Sequence, residues 1–383
     1  MGPDVVQRVI PIGGGLKVLD PMSGSGTTLV QGRLRGHAVF GVDRDPLAIA
    51  IASAAVKDVD IDLFNQEAKR VLTRAITIAS MLSDSDASPL EADDETKDFA
   101  RFWFDLRARR ELRALSEALQ SGTFRTIVHL RVAFSRMIVT KSKGVSLGLD
   151  VSHSRPHRHR TWIEAPIAPF DAFPQHVKLI SRKIVFRANP MSAPVGIVSS
   201  GDCRSLDFPH NFFDLIITSP PYLNAIDYLR GHKLALVWLG YSVNELRELR
   251  STNVGADRGL SDSSYDQIVA QMIDIDSTIS PTLTNKVRRY ARDLTGLVSE
   301  IARVSKQNAK IVFVIGDCAI TGTYVKNSDG IVAVATQQGL KLISREVREI
   351  TGNRRYLPPP ASISSGRELQ KRINSEAILE FRK

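Results

Sequence analysis

Two adjacent prolines stand directly after an apolar run in the segment Thr218–Tyr222. The run itself, Phe212–Ile217, predicts a strand buried in a sheet. Because Pro220 and Pro221 have restricted backbones and no N–H, the chain must leave the sheet there in a rigid, extended turn. Open α/β sheets bind ligands at the carboxyl ends of their strands. The segment therefore predicts a row of acceptors beside an aromatic ring, which suits a flat ring with an amino group. A plain exit from a strand has the same pattern.

A strand, a glycine-rich turn and a helix follow one another near the start of the chain. Leu16–Asp20 predicts the strand, Pro21–Thr28 the turn, and Leu29–Leu34 the first part of the helix. This order is typical of nucleotide-type sites, where Gly24 and Gly26 let the backbone approach a ligand closely. The turn lacks the Gly-Lys-Ser/Thr of a Walker loop and is not a full GxGxxG.

The helix after this turn needs a cap, and we expect Thr27 or Thr28 to provide it. The N-terminus of a helix favours negative charge. A carboxylate-bearing ligand is therefore expected there.

Acidic residues end two further predicted strands. Ala38–Asp43 places Asp43 about 20 residues after the glycine turn, where a doubly wound fold binds ribose hydroxyls. Asp45 either takes that role or caps the helix that starts near Pro46, and we favour Asp43. Asp202 follows another strand-like run and is well placed to accept from the amino group of a purine.

The composition is that of a globular protein with a basic excess. The chain has 383 residues, a net charge of +10 and two cysteines, Cys203 and Cys318. The charge favours a polyanionic partner such as nucleic acid, although solubility alone also accounts for it. Two thiols outside a CxxC pair form neither a disulfide framework nor a cysteine-based zinc site. Since no apolar run is long enough for a membrane span and no signal-peptide pattern is present, we expect a cytoplasmic protein.

Residues 57–190 read as a mostly helical insert between two stretches of alternating strands and helices. Within this insert, His153–Arg160 alternates histidine with arginine. Because cations repel a bound metal, phosphate contact by Arg155, Arg158 and Arg160 is favoured over a solvated loop, and a metal tract ranks last. Near the C-terminus, the alternating sequence of Ala377–Phe381 predicts an edge strand. Earlier in the chain, residues 242–285 are expected to form an irregular loop.

The glycine turn, the acid after the second strand and the Thr218–Tyr222 segment together resemble the amino-methyltransferases of DNA. These enzymes use S-adenosylmethionine to methylate an exocyclic amine of adenine or cytosine. Their catalytic tetrapeptide, Asp/Asn/Ser-Pro-Pro-Tyr/Phe, matches Ser219–Tyr222, and the Ser form is typical of enzymes that make N4-methylcytosine. Related tetrapeptides serve methyltransferases of RNA guanine and of protein glutamine.

The resemblance implies a Rossmann-like class I methyltransferase fold, a mostly parallel, doubly wound α/β sheet with a helical insert. Residues 1–56 and 191–383 would form the methyltransferase domain, and residues 57–190 the insert, a candidate for target recognition. The implied catalytic residues are Ser219, Pro220, Pro221 and Tyr222. The implied cofactor-binding residues are Asp20, Pro21, Ser23, Gly24, Gly26, Thr27, Thr28, Asp43 and Asp202.

The cofactor implied by the resemblance is S-adenosylmethionine, without a metal. The implied partner is DNA, with RNA as the alternative and a cognate restriction endonuclease as a candidate. Cytosine N4 is the favoured target, adenine N6 is the variant, and a non-catalytic nucleic-acid-binding relative stays open. Carbon-5 methylation is disfavoured, because it needs a nucleophilic cysteine, usually after a proline, whereas Cys203 and Cys318 each follow an aspartate.

Overall fold

The computed structural model describes residues 2–141, 143–187, 194–223, 227–256, 262–274, 279–320, 323–349 and 375–383. The chain divides into two compact units. The sheet unit comprises Met1–Arg44, Met191–Ala225 and Ser251–Lys383. The helical unit comprises Asp45–Pro190 and Ile226–Arg250.

These units differ from the predicted ranges at both ends of the insert. The helical unit begins at residue 45 rather than 57, and it includes a second piece, residues 226–250, from beyond the predicted boundary at 190. Both additions bury apolar side chains in the core of the helical unit, among them Leu47 and Trp238. Sequence composition marks where polarity changes, whereas burial depends on which helices pack together.

Helices and strands alternate at the start of the chain, and two runs of consecutive helices follow later among the described residues. The strands are β1 (Lys17–Asp20), β2 (Ala38–Asp43), β3 (Gly148–Leu149), β4 (His157–Arg158), β5 (Ile197–Ser200), β6 (Phe213–Thr218), β7 (Ser305–Ile315), β8 (Cys318–Ile320), β9 (Thr323–Val325), β10 (Lys341–Glu349) and β11 (Ser375–Arg382). The helices are α1 (Pro3–Val9), α2 (Thr27–Leu34), α3 (Pro46–Val56), α4 (Ile61–Met81), α5 (Asp94–Trp103), α6 (Leu106–Gln120), α7 (Ile127–Ile138), α8 (Pro169–Arg187), α9 (Leu229–Leu236), α10 (Val243–Ser251), α11 (Asp266–Met272), α12 (Pro281–Val304) and α13 (Asn327–Gln337).

One seven-stranded sheet forms the centre of the sheet unit. Its order is β10-β11-β7-β6-β1-β2-β5. The five strands from β7 to β5 pair in parallel, and β11 is antiparallel to both of its neighbours. The chain moves from β1 outward through β2 to β5, and then returns to β6 on the other side of β1. The prediction of a Rossmann-like, mostly parallel, doubly wound α/β sheet is confirmed, and its topological switch point lies between β1 and β6.

The prediction that Ala377–Phe381 forms an edge strand is wrong. These residues belong to β11, which lies between β10 and β7. Ala377, Ile378 and Leu379 are consecutive and all buried, so both faces of the strand are covered. On this side of the sheet the edge strand is β10, whose sequence is more polar.

The prediction of an irregular stretch at residues 242–285 is also wrong for most of its described part. It contains α10, α11 and the start of α12. Ser280 caps α12 by accepting from the amide of Leu283, and Pro281 opens the helix. The buried face of α12, from Leu283 to Val304, packs into the core of the sheet unit.

The helical unit has a separate apolar core. Phe64, Phe104, Phe134 and Trp238 lie in it with almost no exposure. Phe104 meets Trp238 edge to face, with 5.5 Å between ring centroids. None of the helices in the described residues has the length and apolar character that a membrane span requires.

Candidate active site

The glycine turn after β1 is held to β2 by hydrogen bonds that two of its backbone amides donate. Ser23 N donates to Val42 O over 2.9 Å, and Gly24 N donates to the Asp43 Oδ2 over 2.8 Å. Gly24 has φ +50°, and a Cβ placed on it would meet no atom within 4 Å. The turn therefore presents backbone, without side-chain cover at Gly24, to open space at the carboxyl edge of the sheet.

Gly41 in β2 makes this close approach between turn and strand sterically possible. A Cβ at Gly41 would lie 2.6 Å from Leu29 Cδ1 and 3.1 Å from Ser23 Cβ. Gly41 was not among the site residues predicted from the sequence. Its signal was a glycine inside a strand, which often marks a close contact with another backbone or ligand.

The prediction that Thr27 or Thr28 caps α2 is wrong. Gly26 occupies the cap position with φ +79° and ψ 26°, and the cap makes no side-chain hydrogen bond. Thr27 and Thr28 are instead the first two residues of the helix. Since no side chain of the cap residue satisfies the first amides, the N-terminus of α2 keeps donors that a ligand can use.

Asp43 lies half-buried beside the glycine turn. Its Oδ2 accepts from Gly24 N, and its Oδ1 accepts from Arg44 N over 2.8 Å. A carboxylate oxygen can accept more than one hydrogen bond, so these contacts are compatible with a ligand hydroxyl at the same group. Asp45 has the alternative role that its position predicted: it caps α3 by accepting from Leu47 N over 2.9 Å, and its Oδ2 lies 2.6 Å from His232 Nδ1.

Asp20 ends β1 and is only 2% exposed. Burial raises its pKa from 3.8 to about 6, while the nearby Thr28 hydroxyl, the Met22 amide and the Thr218 hydroxyl oppose the rise. Met22 N donates to Asp20 Oδ1 over 3.2 Å, which shapes the turn. Asp20 therefore supports the turn from beneath it, between α2 and the end of β6.

Three hydroxyls of the glycine turn, α2 and β6 are buried without full hydrogen-bond geometry to a partner in the described part of the chain. They are Ser23 Oγ, Thr28 Oγ1 and Thr218 Oγ1. Thr28 and Thr218 are close enough to Asp20 to affect its pKa, but their geometry is looser than a regular hydrogen bond. Buried polar groups of this kind commonly bind an ordered water or a ligand atom.

The Ser219–Tyr222 segment begins directly after β6 and is held by side chains from remote parts of the chain. Tyr290 of α12 donates its hydroxyl to Pro221 O over 2.8 Å. Tyr222 donates its hydroxyl to Glu376 Oε1 over 2.9 Å. Burial raises the pKa of Tyr290 well above its ordinary value, so this residue stays a neutral donor. Ser219 itself is half-buried.

Glu376 is fixed in turn by an arginine. Arg348 of β10 donates to Glu376 Oε2 through Nη2 over 2.6 Å and through Nε over 3.1 Å. The same guanidinium reaches Asp4 Oδ2 over 2.8 Å. The hydroxyl of Tyr222 is therefore the end of a chain of charged contacts, none of which was predicted from the sequence.

Asp202 is engaged by two arginines. Its Oδ2 accepts from Arg204 Nη2 over 2.8 Å and from Arg44 Nη1 over 3.0 Å. Burial alone would raise the pKa of Asp202, but hydrogen bonds and charge from Arg204, and the charge of Arg44, lower it overall. Both guanidiniums also donate to Thr252 O, and Arg204 reaches the buried Asp293 over 2.7 Å. The predicted acceptor thus also anchors the segment after α10.

The predicted phosphate contacts lie in the helical unit. Arg155, Arg158 and Arg160 are exposed, on or next to the β3–β4 hairpin. The guanidinium of Arg158 stands 5.5 Å from the centroid of the Phe102 ring. Exposed cations beside aromatic rings suit nucleic acid, since they combine phosphate attraction with base stacking.

Two of the three histidines of the same stretch lie near an acid, and the third, His159, stacks on Trp162. His153 Nδ1 lies 3.5 Å from Asp150 Oδ1, and His157 Nδ1 lies 3.9 Å from Asp150 Oδ2. Among the described residues, no group of three or more His, Cys, Asp or Glu side chains is arranged to hold a metal ion. Cys203 is buried, and burial raises the pKa of its thiol to about 12, so it does not supply a thiolate.

Comparison with known proteins gives short local matches. No protein-family model matches the chain. A 44-residue stretch is 48% identical to the Type II methyltransferase M.BsoBI of Geobacillus stearothermophilus and 46% identical to M.AvaI of Anabaena variabilis. The stretch covers 12% of this chain and 9% of either relative.

Solved structures with distant similarity include an S-adenosylmethionine-dependent methyltransferase from Methanosarcina mazei, with 9% identity, a TM-score of 0.36, and coverage of 99% of this chain and 96% of that one. A candidate DNA modification methylase from Thermus thermophilus, complexed with S-adenosylmethionine, is 17% identical over 48% of this chain and 53% of that one, with a TM-score of 0.24.

Proposed function

We propose that this protein is an S-adenosylmethionine-dependent DNA methyltransferase that acts on the exocyclic amine of a flipped base, preferably N4 of cytosine. The observation that carries the proposal is the meeting of two loops at one switch point. The glycine turn follows β1 and Ser219–Tyr222 follows β6, and these strands are parallel neighbours. The short similarity to Type II methyltransferases supports the same assignment.

The residues around the glycine turn fit the proposed cofactor. Gly24 leaves open space where a Cβ would stand, and the Asp43 carboxylate beside it would accept from ribose hydroxyls. The N-terminus of α2, which has no side-chain cap, favours the carboxylate of the methionine part. Pro21, Ser23, Thr27 and Thr28 complete the proposed cofactor site, with Asp20 as its support. When bound, S-adenosylmethionine supplies an electrophilic methyl group on a sulfonium.

The loop after β6 would hold and activate the amine. An exocyclic amine is a weak nucleophile because its lone pair is delocalised into the ring. Acceptors at Ser219 and at the Pro220 carbonyl would hold its protons and stabilise the positive charge that develops on nitrogen. The Pro221 carbonyl already accepts from Tyr290, so its role is to hold the loop. Tyr222 would contribute a stacking surface for the base.

The target base is proposed from one side chain. Ser219 stands where adenine-specific relatives usually carry an acidic or amide residue, which favours cytosine over adenine. A base inside a duplex cannot reach such a loop, so base flipping is part of the proposal. The helical unit, with Arg155, Arg158 and Arg160, would contact the DNA backbone. A cognate restriction endonuclease is a further proposed partner, by analogy with Type II systems.

The deciding experiment incubates the protein with labelled S-adenosylmethionine and, separately, duplex DNA and structured RNA. Nucleosides from the labelled product are then separated. We expect N4-methylcytosine from DNA and far less of it from the Ser219→Ala variant. N6-methyladenine would change the target base, and label in RNA alone would change the substrate. Cofactor binding without transfer to any nucleic acid tested would contradict the enzyme assignment.

A further inference from the structure

A polar stripe with three cations runs along the solvent face of α4 in the helical unit. Gln66, Lys69, Arg70, Thr73 and Arg74 recur at the three- and four-residue spacing of one helix face, and all five are exposed. The opposite face, which includes Phe64 and Val71, is buried. From the sequence, this segment was predicted only as part of the helical insert.

The stripe forms one wall of a groove with a volume of about 700 Å³. Residues 121–124, between α6 and α7, form the other wall. No carboxylate is among the described residues that line the groove. Glu67, on the same helix, is buried, and its carboxylate accepts from the amides of Arg125 and Thr126.

The cations of the stripe have no acidic side chain at ion-pair distance within the described residues. Lys69, Arg70 and Arg74 form none of the ion pairs found there. By contrast, Arg101 of α5 pairs with Asp98, and Arg110 and Arg113 of α6 pair with Asp84 and Glu117. Arg70 and Arg74 stand one helical turn apart, where like charges destabilise a helix. Within a groove that no carboxylate of the described residues lines, an arrangement of this kind favours an anion from outside the chain.

The other groups of the groove suit a sugar-phosphate backbone. The guanidinium of Arg70 stands 5.9 Å from the centroid of the Phe124 ring, which holds it against an aromatic surface. Thr73 and Thr123 add exposed hydroxyls.

We propose that this groove binds the phosphate backbone of duplex DNA, as a contact surface separate from Arg155, Arg158 and Arg160. The inference rests on the proposed function for its choice of DNA as the polyanion. Lys69, Arg70 and Arg74 supply the charges, and the hydroxyls of the groove donate to phosphate oxygens. Such contacts position the protein on DNA and carry no base specificity of their own.

The test compares two double variants with equal loss of charge. Arg70→Gln with Arg74→Gln alters the groove. Lys178→Gln with Arg182→Gln alters an exposed pair at the same spacing on α8 and is the matched control. Binding of a fluorescent 30-base-pair DNA duplex, and of an RNA duplex of the same sequence, is measured by anisotropy without cofactor across a series of salt concentrations. Circular dichroism first shows that both variants fold.

We expect the groove variant to lower the slope of log K against log salt by about two and to weaken binding roughly 10- to 100-fold at low salt. The control should keep the slope of the unaltered protein. An unchanged slope in the groove variant, or an equal fall in the control, would overturn the proposal. Stronger groove-dependent binding of RNA than of DNA would overturn DNA as the occupant.

The outcome is separable from that of the proposed function, because no methyl transfer is needed to measure binding. If the protein methylates cytosine but the groove variant keeps the salt slope of the unaltered protein, only this inference is wrong. If DNA binding depends on the groove but no methyl group is transferred to nucleic acid, only the enzyme assignment is wrong.

Discussion

The two loops of the candidate site are stabilised in opposite ways. The glycine turn is held by short-range contacts, such as Gly24 N to Asp43, which are 19 residues apart. The Ser219–Tyr222 loop is held by long-range ones, since Tyr290 is 69 residues from Pro221 and Glu376 is 154 residues from Tyr222. The shape of the glycine turn thus depends on the strands next to it, whereas the shape of the Ser219–Tyr222 loop depends on distant parts of the sheet unit. Changes at each loop should therefore affect different steps.

The largest expected effect is on methyl transfer by the loop after β6. Ser219→Ala and Tyr222→Ala should each lower kcat by about 100-fold or more, because they remove an acceptor and a stacking surface at the amine. Cofactor affinity should be unchanged, since the glycine turn is intact. Transfer of labelled methyl groups and calorimetric cofactor titration measure the two quantities. Full activity in both variants would remove Ser219 and Tyr222 from the catalytic assignment.

A change at the other loop, Asp43→Ala, should affect cofactor binding rather than methyl transfer. It removes the acceptor of Gly24 N and the proposed ribose partner. The cofactor Kd should rise about 10- to 100-fold, as expected when a charged hydrogen-bond acceptor is lost. The residual kcat at saturating cofactor should fall far less than in Ser219→Ala. Calorimetric titration of Asp43→Ala and Ser219→Ala with the cofactor compares their Kd values. An unaltered Kd in Asp43→Ala would exclude Asp43 from the site.

The long-range support is tested by Tyr290→Phe. Without the hydroxyl, the Pro221 carbonyl loses its donor, and the free energy of unfolding should fall by about 1 to 3 kcal/mol. We expect kcat to fall about tenfold through the displaced loop, with no change in cofactor Kd. Tyr324→Phe, at an exposed tyrosine, is the control. A weakened cofactor Kd in Tyr290→Phe would show that the two loops are not independent.

The smallest expected effect on methyl transfer comes from Asp20→Asn, whose consequence is for stability. Because burial raises the pKa of Asp20 to about 6, the folded chain holds this proton at pH values where the unfolded chain releases it. Asp20 therefore makes the free energy of unfolding fall as pH rises from about 4 to 6, by about 1 to 3 kcal/mol, and adds no further change above that. The variant should lack this fall.

Urea denaturation of the parent protein and of Asp20→Asn at pH 4, 5, 6 and 7 measures how the free energy of unfolding depends on pH. The difference between the two proteins isolates the contribution of Asp20 from that of other carboxylates. The lowered pKa of Asp202 acts in the opposite direction, at lower pH, and is common to both. Parallel curves for variant and parent would refute the assignment of the raised pKa to Asp20.

Local physical chemistry made part of this site predictable. A strand followed by Gly24 and Gly26, an acid at the end of β2, and two prolines after β6 are written in adjacent residues. Backbone sterics and apolar periodicity act over such short distances. For the same reason the cap of α2 was misassigned: choosing between Gly26 and the two threonines depends on a single residue of helix boundary, where patterns are least reliable.

Short stretches of residues specify the strand–turn–helix at the start, the rigid exit at Pro220 and Pro221, and the α/β class of the sheet. Long-range packing places β11 inside the sheet, brings Arg44 to Asp202, and brings Tyr290 and Glu376 to the loop after β6. Those outcomes depend on which strands and helices become neighbours. Which elements become neighbours is determined by the burial of apolar surface over the whole unit, and it cannot be predicted from any local pattern of residues.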